Sequence, residues 1–324
     1  MNMTSYHIKH ITRYKYASPV IDCANQVMLY PIQDAQQVLK KHELHISHKP
    51  DLEEFVDYFG NRVGIFSVIM PITELVIESD IEIEVAAAVL PEANHSVKDQ
   101  WEKLTELRDQ FPFMDFMMLE NYEYEDAIMD VIDKLVDRSL PPFETAQVLS
   151  KYVYENFEYR KGVTTVETSA DEIWKLKAGV CQDFAHILLV MLRNIGIPAR
   201  YVSGYICPKG QELRGEGATH AWVEVCVPFY GWMGLDPTNN CIASDRHVRL
   251  AIGRHFTDCT PVKGTYKGSS EHTLEVSVSI SNGELKNKEV ETTRPVFSYK
   301  SKNPSVQSNS YRRYLEMQQQ QQQQ

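Results

Sequence analysis

From Ile72 to Val85 apolar and polar residues take turns, the period of a strand with one buried face. Tyr6–Tyr16 is β-branched and aromatic and reads as another strand, ending near Pro19. Leu44–His45–Ile46 lies in a further alternating segment stopped by Pro50. Phe55 to Phe66 reads as a hairpin, because Gly60-Asn61 at its centre supplies the positive φ angles of a tight turn. Many short strands with turn signals predict a β-sandwich over residues 1–95.

The period changes near residue 97. Ile128, Val131, Ile132 and Leu135 repeat at helical spacing, as do Val148, Leu149, Tyr152 and Val153 after the Pro141-Pro142 break. Thr168 and Ser169 followed by Asp171 and Glu172 predict a helix start. A helix from about Cys181 to Asn194 is apolar all round over Ile187–Leu192 and stops at Gly196. Strands are then expected over 199–206, 220–227 and 231–235, with a last alternating strand around Leu274–Ile280. A helical lobe followed by an antiparallel sheet makes residues 96–282 a second, α+β domain.

Composition narrows the class. The chain has 324 residues, of which 43% are apolar and 24% charged, so two soluble domains fit its length. The net charge of −11 argues against a nucleic-acid partner, which needs a basic face. No apolar run approaches the ~18 residues of a membrane span, and the N-terminus lacks a signal-peptide core. The six cysteines form no CxxC pair, which fits a reduced, cytoplasmic compartment. Residues 283–324 are polar and end in a glutamine run, the composition of a disordered tail and the segment through which a homo-oligomer would form. The acidic run Glu120–Asp126 reads as a solvated helix start, without the ligand pattern of a calcium loop.

Cys181 carries the chemistry. It opens the apolar helix, where unpaired N–H groups and the helix dipole favour a thiolate. The same N–H groups suit an oxyanion. His220 opens a strand after the Gly-rich loop 210–217 and is the best candidate base; Asp236, at the end of the next strand, is placed to orient it. His186 is a candidate supporting donor, although a satisfied core histidine is the simpler reading. Gln182, Trp174 and Trp222 are candidates for the cleft wall or its support, with core packing the plainer alternative for Trp222 and Trp232. A zinc site from Cys181, His186 and His220 lacks a close-spaced ligand pair. The remaining cysteines read as small buried hydrophobes.

The segments Ala178–His186, Leu192–Tyr205, Thr219–Val225 and Asp236–Asn239, with Ile11–Tyr16, Pro31 and Asp57–Asn61 upstream, together resemble the bacterial transglutaminase-like superfamily over about residues 5–280. The resemblance implies a papain-like core with Cys181 as nucleophile, His220 as general base and acid, and Asp236 as orienting residue. It implies a thioester step on amide bonds of a protein or peptide substrate, with no cofactor and no metal. Hydrolysis by a cysteine peptidase or amidase, amine transfer by a transglutaminase, and a scaffold built on an inactive core all remain open. Lys175 stands six residues before the nucleophile, where the papain pattern has Gln, so the second oxyanion donor is unassigned.

Overall fold

The computed structural model describes residues 3–92, 94–119, 122–164, 168–209, 213–216, 218–268 and 270–282, and the backbone of 296–298. Its longest element is β1 (Met3–Val27), which serves two ladders. Over its first half β1 pairs with β5 (Ile72–Ala86) on one side and β14 (His272–Asn282) on the other. Beyond these lie β2 (Gln37–Ile46), against β5, and β15 (Val296–Ser298), against β14. Its last residues, Ile21–Val27, pair instead with β4 (Arg62–Val68) and β13 (Val262–Lys267), and β3 (Leu52–Val56) adds to β4. One strand thus joins two half-sheets, with Ile8, Tyr14, Val20, Cys23 and Val27 in the shared core. The strand does not end at Pro19: the ladder to β5 shifts register between Lys15 and Val20, and a proline without an N–H is tolerated where pairing lapses.

The second unit holds α1 (Val97–Leu107), α2 (Glu125–Leu135), α3 (Pro142–Asn156), β6 (Glu158–Tyr159), α4 (Ala170–Leu176), β7 (Ala178–Gly179) and α5 (Cys181–Asn194). A five-stranded antiparallel sheet follows: β8 (Ala199–Ile206), β9 (Thr219–Val227), β10 (Gly231–Asp236), β11 (Cys241–Ile242) and β12 (His247–Gly253), in the order β11-β10-β9-β8-β12. Helix α5 lies on β8 and β9, with α2, α3 and α4 around it. Phe184, Ala185, Ile187, Leu188, Met191 and Leu192 are fully buried, which is why this helix has no polar face. Each of its large side chains contributes about 1.5–3 kcal/mol of burial, so the rigidity of α5 comes from packing. The chain is α+β with a papain-like arrangement of helix on sheet.

Two sequence expectations change here. The alternating segment around Leu274–Ile280, assigned above to the 96–282 domain, is β14 and pairs with β1 from Tyr6 to Tyr16. Its alternating pattern fits either sheet, and only long-range pairing selects one. Strand β12 was not foreseen at all; it forms the seam between the two units. Asn61, at the tip of the β3–β4 hairpin, donates to Ile252 O and accepts from Ile252 N. Gln37 makes the same two-way bracket with the backbone of Arg249. At the same seam His10 of β1 meets the Tyr205 hydroxyl of β8 at 2.8 Å. The glutamine-rich tail lies outside the described residues, apart from the backbone of β15.

Candidate active site

The candidate nucleophile Cys181 is presented by the turn 178–183. Val180 is extended (φ −118°, ψ −174°), and α5 starts at Cys181. Asp183 closes the turn: its carboxylate accepts from Val180 N at 2.7 Å and from Thr164 Oγ1 at 2.6 Å. Burial pushes the Asp183 carboxyl up to about 6, against the pull of those two hydrogen bonds. Gly179 is required because a Cβ there would stand 2.4 Å from Asp183 Oδ2. Cys181 is partly exposed, whereas Cys23, Cys207, Cys226 and Cys259 are buried, and all six thiols are free.

Across from it, at the start of β9, His220 is 3% exposed. Its Nε2 donates to Asp236 Oδ2 at 2.8 Å. Among the described residues Nδ1 has no hydrogen bond of ordinary geometry, and the Cys181 thiol is the group that acts on this ring as Coulombic and hydrogen-bonding neighbour. Burial disfavours the imidazolium, but Asp236 first and Cys181 second outweigh it, so the ring is held well above the usual histidine range. Burial opposes ionisation of Asp236 too; the histidine beside it reverses this and holds the carboxyl far below the usual range. Gly215 lies on the open side of the ring at φ +79°, where a Cβ would stand 2.8 Å from Nδ1.

Asp236 has no exposed surface and is satisfied throughout. Oδ1 accepts from Thr238 N at 2.9 Å and Asn239 N at 3.2 Å. Oδ2 accepts from His220, from Asn239 Nδ2 at 2.7 Å and from His247 Nε2 at 3.3 Å. His247 was missed in the sequence because it sits on β12, eleven residues past Asp236, in no local motif. Its Nδ1 accepts from Ser244 N at 3.3 Å, which leaves Nε2–H to donate. Burial lowers the His247 pKa, so this second histidine is neutral. Asp236, Cys241 and His247 are the group among the described residues that could hold a metal, their donor atoms lying within 4.8 Å of one another. The carboxylate and imidazole of that cluster are already engaged in hydrogen bonds.

The other expected residues separate. Trp222 is fully buried, stacked at 6.3 Å on His220 and edge-on at 5.1 Å to His247, so it forms the wall behind the pair. Gln182 is buried beside Cys181. Trp174 is a core residue of α4, packed with Phe157 and Tyr152 under the Lys177 ammonium. His186 accepts from Phe256 N and packs on Tyr201; desolvation lowers it to about 3, the state of a satisfied core histidine.

Residues 130–237 match the Transglutaminase-like superfamily, and residues 6–84 match the Bacterial transglutaminase-like N-terminal region. The uncharacterized protein Rv2569c of Mycobacterium tuberculosis is 31% identical over 294 residues, spanning 85% of this chain and 92% of that protein. The chain belongs to the transglutaminase-like superfamily. The uncharacterized protein ML0607 of Mycobacterium leprae is 29% identical over 281 residues, covering 86% of this chain and 99% of its own. A Protein-glutamine gamma-glutamyltransferase of Pseudomonas aeruginosa is 33% identical over 108 residues, 30% of this chain and 16% of that protein. The crystal structure of a candidate cysteine protease from Cytophaga hutchinsonii shares the fold over 95% of this chain and 97% of that one, with a TM-score of 0.68 at 19% identity. Membership and fold together suit a cysteine-based enzyme.

Proposed function

We propose that this superfamily member is a thiol acyl-transfer enzyme that cleaves amide bonds of a peptide or a glutamine side chain through a thioester on Cys181. The observation that carries the reading is the hydrogen-bonded line from Asp236 through His220 toward Cys181 at the N-terminus of α5. Because Nε2 of His220 is committed to Asp236, Nδ1 is the nitrogen that exchanges protons with the thiol. With His220 held as imidazolium, the Cys181 proton already rests on Nδ1, and the thiolate of this ion pair adds to the amide carbonyl carbon. The imidazolium then returns the proton to the departing amine as the C–N bond breaks. Water, deprotonated by Nδ1, attacks the thioester; the acid leaves and the thiol is restored. Asp236 stays ionised throughout and steadies the imidazolium.

A second reading is amine transfer, in which a primary amine replaces water at the thioester. The 33% identity of the core region to a gamma-glutamyltransferase favours it. Both readings share Cys181. Iodoacetamide is expected to alkylate Cys181 at least ten-fold faster than the other five cysteines near neutral pH, and Cys181→Ala to abolish that fast phase. Equal, slow labelling of all six would sink the enzyme reading. Peptide mixtures incubated with and without a primary amine, read by mass, then separate cleavage, loss of ammonia and amine gain.

A further inference from the structure

Tyr159 is placed beside the nucleophile by backbone pairing. Strand β6 runs parallel to β7, with Tyr159 opposite Gly179, two residues before Cys181. Glu158 N donates to Lys177 O at 2.8 Å and Arg160 N to Gly179 O at 2.9 Å, so the segment is stitched to the turn that presents the thiol. The Tyr159 ring stands edge-on to Phe184, in the first turn of α5, at 6.2 Å. The Arg214 guanidinium lies 5.7 Å from the ring centre, and the next residue, Gly215, rests on His220. The phenol is thus framed by the helix that bears Cys181 and the loop that covers His220. It feels the charges of both Cys181 and Asp236. Its ring is partly exposed, and its hydroxyl makes no hydrogen bond among the described residues. Burial, reinforced by those charges, raises the phenol well above its ordinary value, so it keeps its proton across the neutral range.

We propose that the Tyr159 hydroxyl is a catalytic residue: the second donor of the oxyanion hole, acting with the backbone N–H groups at the start of α5. This assignment rests on the thioester reading above. When the Cys181 thiolate adds to a carbonyl, the C=O π electrons move to oxygen. An oxyanion formed next to the start of α5 meets N–H groups that no carbonyl of the helix uses. The position six residues before Cys181 is Lys175, so the side-chain donor has to come from elsewhere. Tyr159 supplies a neutral O–H there at no cost to the fold, since its hydroxyl has no hydrogen bond among the described residues to give up.

The test uses the full chain with p-nitrophenyl acetate as an acyl probe and iodoacetamide as an alkylating probe. Acylation passes through an oxyanion; alkylation by iodoacetamide is a displacement at carbon and forms none. Tyr159→Phe is expected to slow the p-nitrophenolate burst about 100-fold, the order found when one oxyanion donor is removed. Cys181 alkylation should stay within two-fold and the melting temperature should be unchanged, because the ring contacts with Phe184 and Arg214 persist. An unchanged burst overturns the proposal. Equal losses in burst and alkylation also overturn it, because they assign Tyr159 to the state of the thiol instead. A wild-type chain that alkylates fast yet gives no burst at Cys181 has no working oxyanion hole and overturns it as well. Slow wild-type alkylation, by contrast, is the failure of the thioester reading itself, and the two failures are told apart by the same pair of probes.

Discussion

His220 in the cleft and His10 at the seam are the same residue type with nearly the same burial, 3% and 1% exposed, yet their charge states are opposite. His10 is surrounded by hydroxyls, Tyr205 on Nδ1 and Thr12 on Nε2, and desolvation alone lowers it to about 4. His220 suffers the same desolvation but faces a buried carboxylate, and its pKa rises. A hydroxyl satisfies a buried imidazole without charging it; a carboxylate in a dry pocket overcomes the burial penalty. The seam therefore holds its histidine as a neutral hydrogen-bonding spacer, and the cleft holds its histidine charged against a carboxylate, the state on which the proposed proton transfer draws.

The largest expected effect comes from removing that one difference. Asp236→Asn keeps the volume and can still accept from Thr238 N, but it takes away the charge that holds His220 up. Burial then wins, as it does at His10. The iodoacetamide rate of Cys181 at neutral pH should fall toward that of an ordinary thiol. Acyl turnover should drop ~10⁴-fold, the order seen when a triad carboxylate is made neutral. A variant that keeps the wild-type rate would falsify the claim that the carboxylate separates the two histidines.

Much of the cleft was legible in the sequence because its parts are local. Cys181 stands ahead of the apolar run Ile187–Leu192 closed by Gly196, and α5 runs from Cys181 to Asn194 as that run predicts; the Asp183 cap on Val180 N was not read from the sequence. His220 and Asp236 lie on adjacent antiparallel strands joined by a short turn, so their pairing follows from spacing. What the sequence hid depends on distant pairing. His247 reaches Asp236 from β12, and β14 crosses back to β1, contacts for which no period or motif exists. Trp174 shows the converse: a conspicuous aromatic near the nucleophile in sequence is a core residue in space.

The seam gives the intermediate effect, and its sign is opposite to that of the cleft. His10 is depressed, so the unfolded chain takes up a proton near pH 6.5 that the folded chain refuses until about pH 4. The His10 contribution to stability should be complete above pH 6.5 and fall steadily between 6.5 and 4. That span corresponds to about 3 kcal/mol for this residue. His220 is raised, so its contribution is present below pH 6.5 and fades as the pH climbs. His10→Gln, which keeps hydrogen-bonding atoms for Tyr205 but cannot titrate, should flatten the acid side of a urea-unfolding profile. His186, lowered to about 3, carries a loss of the same sign and will leave part of the slope in place. An unaltered profile in His10→Gln would show that the seam histidine is not a silent neutral spacer.

The smallest effect belongs to His247, where the two kinds of histidine meet on one carboxylate oxygen. Asp236 Oδ2 accepts from His220, which is charged, and from His247, which is neutral and held as a donor by Ser244 N. A second charged donor would compete with His220 for the same oxygen; a neutral one satisfies a desolvated lone pair without competing. His247→Gln preserves a neutral donor and should change Cys181 alkylation and acyl turnover by less than about three-fold, because Oδ2 keeps its hydrogen bonds. His247→Leu removes the donor while filling much of the space beside Trp222. That leaves a buried charged oxygen one partner short, at about 1–3 kcal/mol, read as a lower urea midpoint together with turnover reduced about ten-fold. Were Leu and Gln to behave alike in both measurements, the neutral donor would be dispensable, and the contrast between cleft and seam would reduce to the single carboxylate of Asp236.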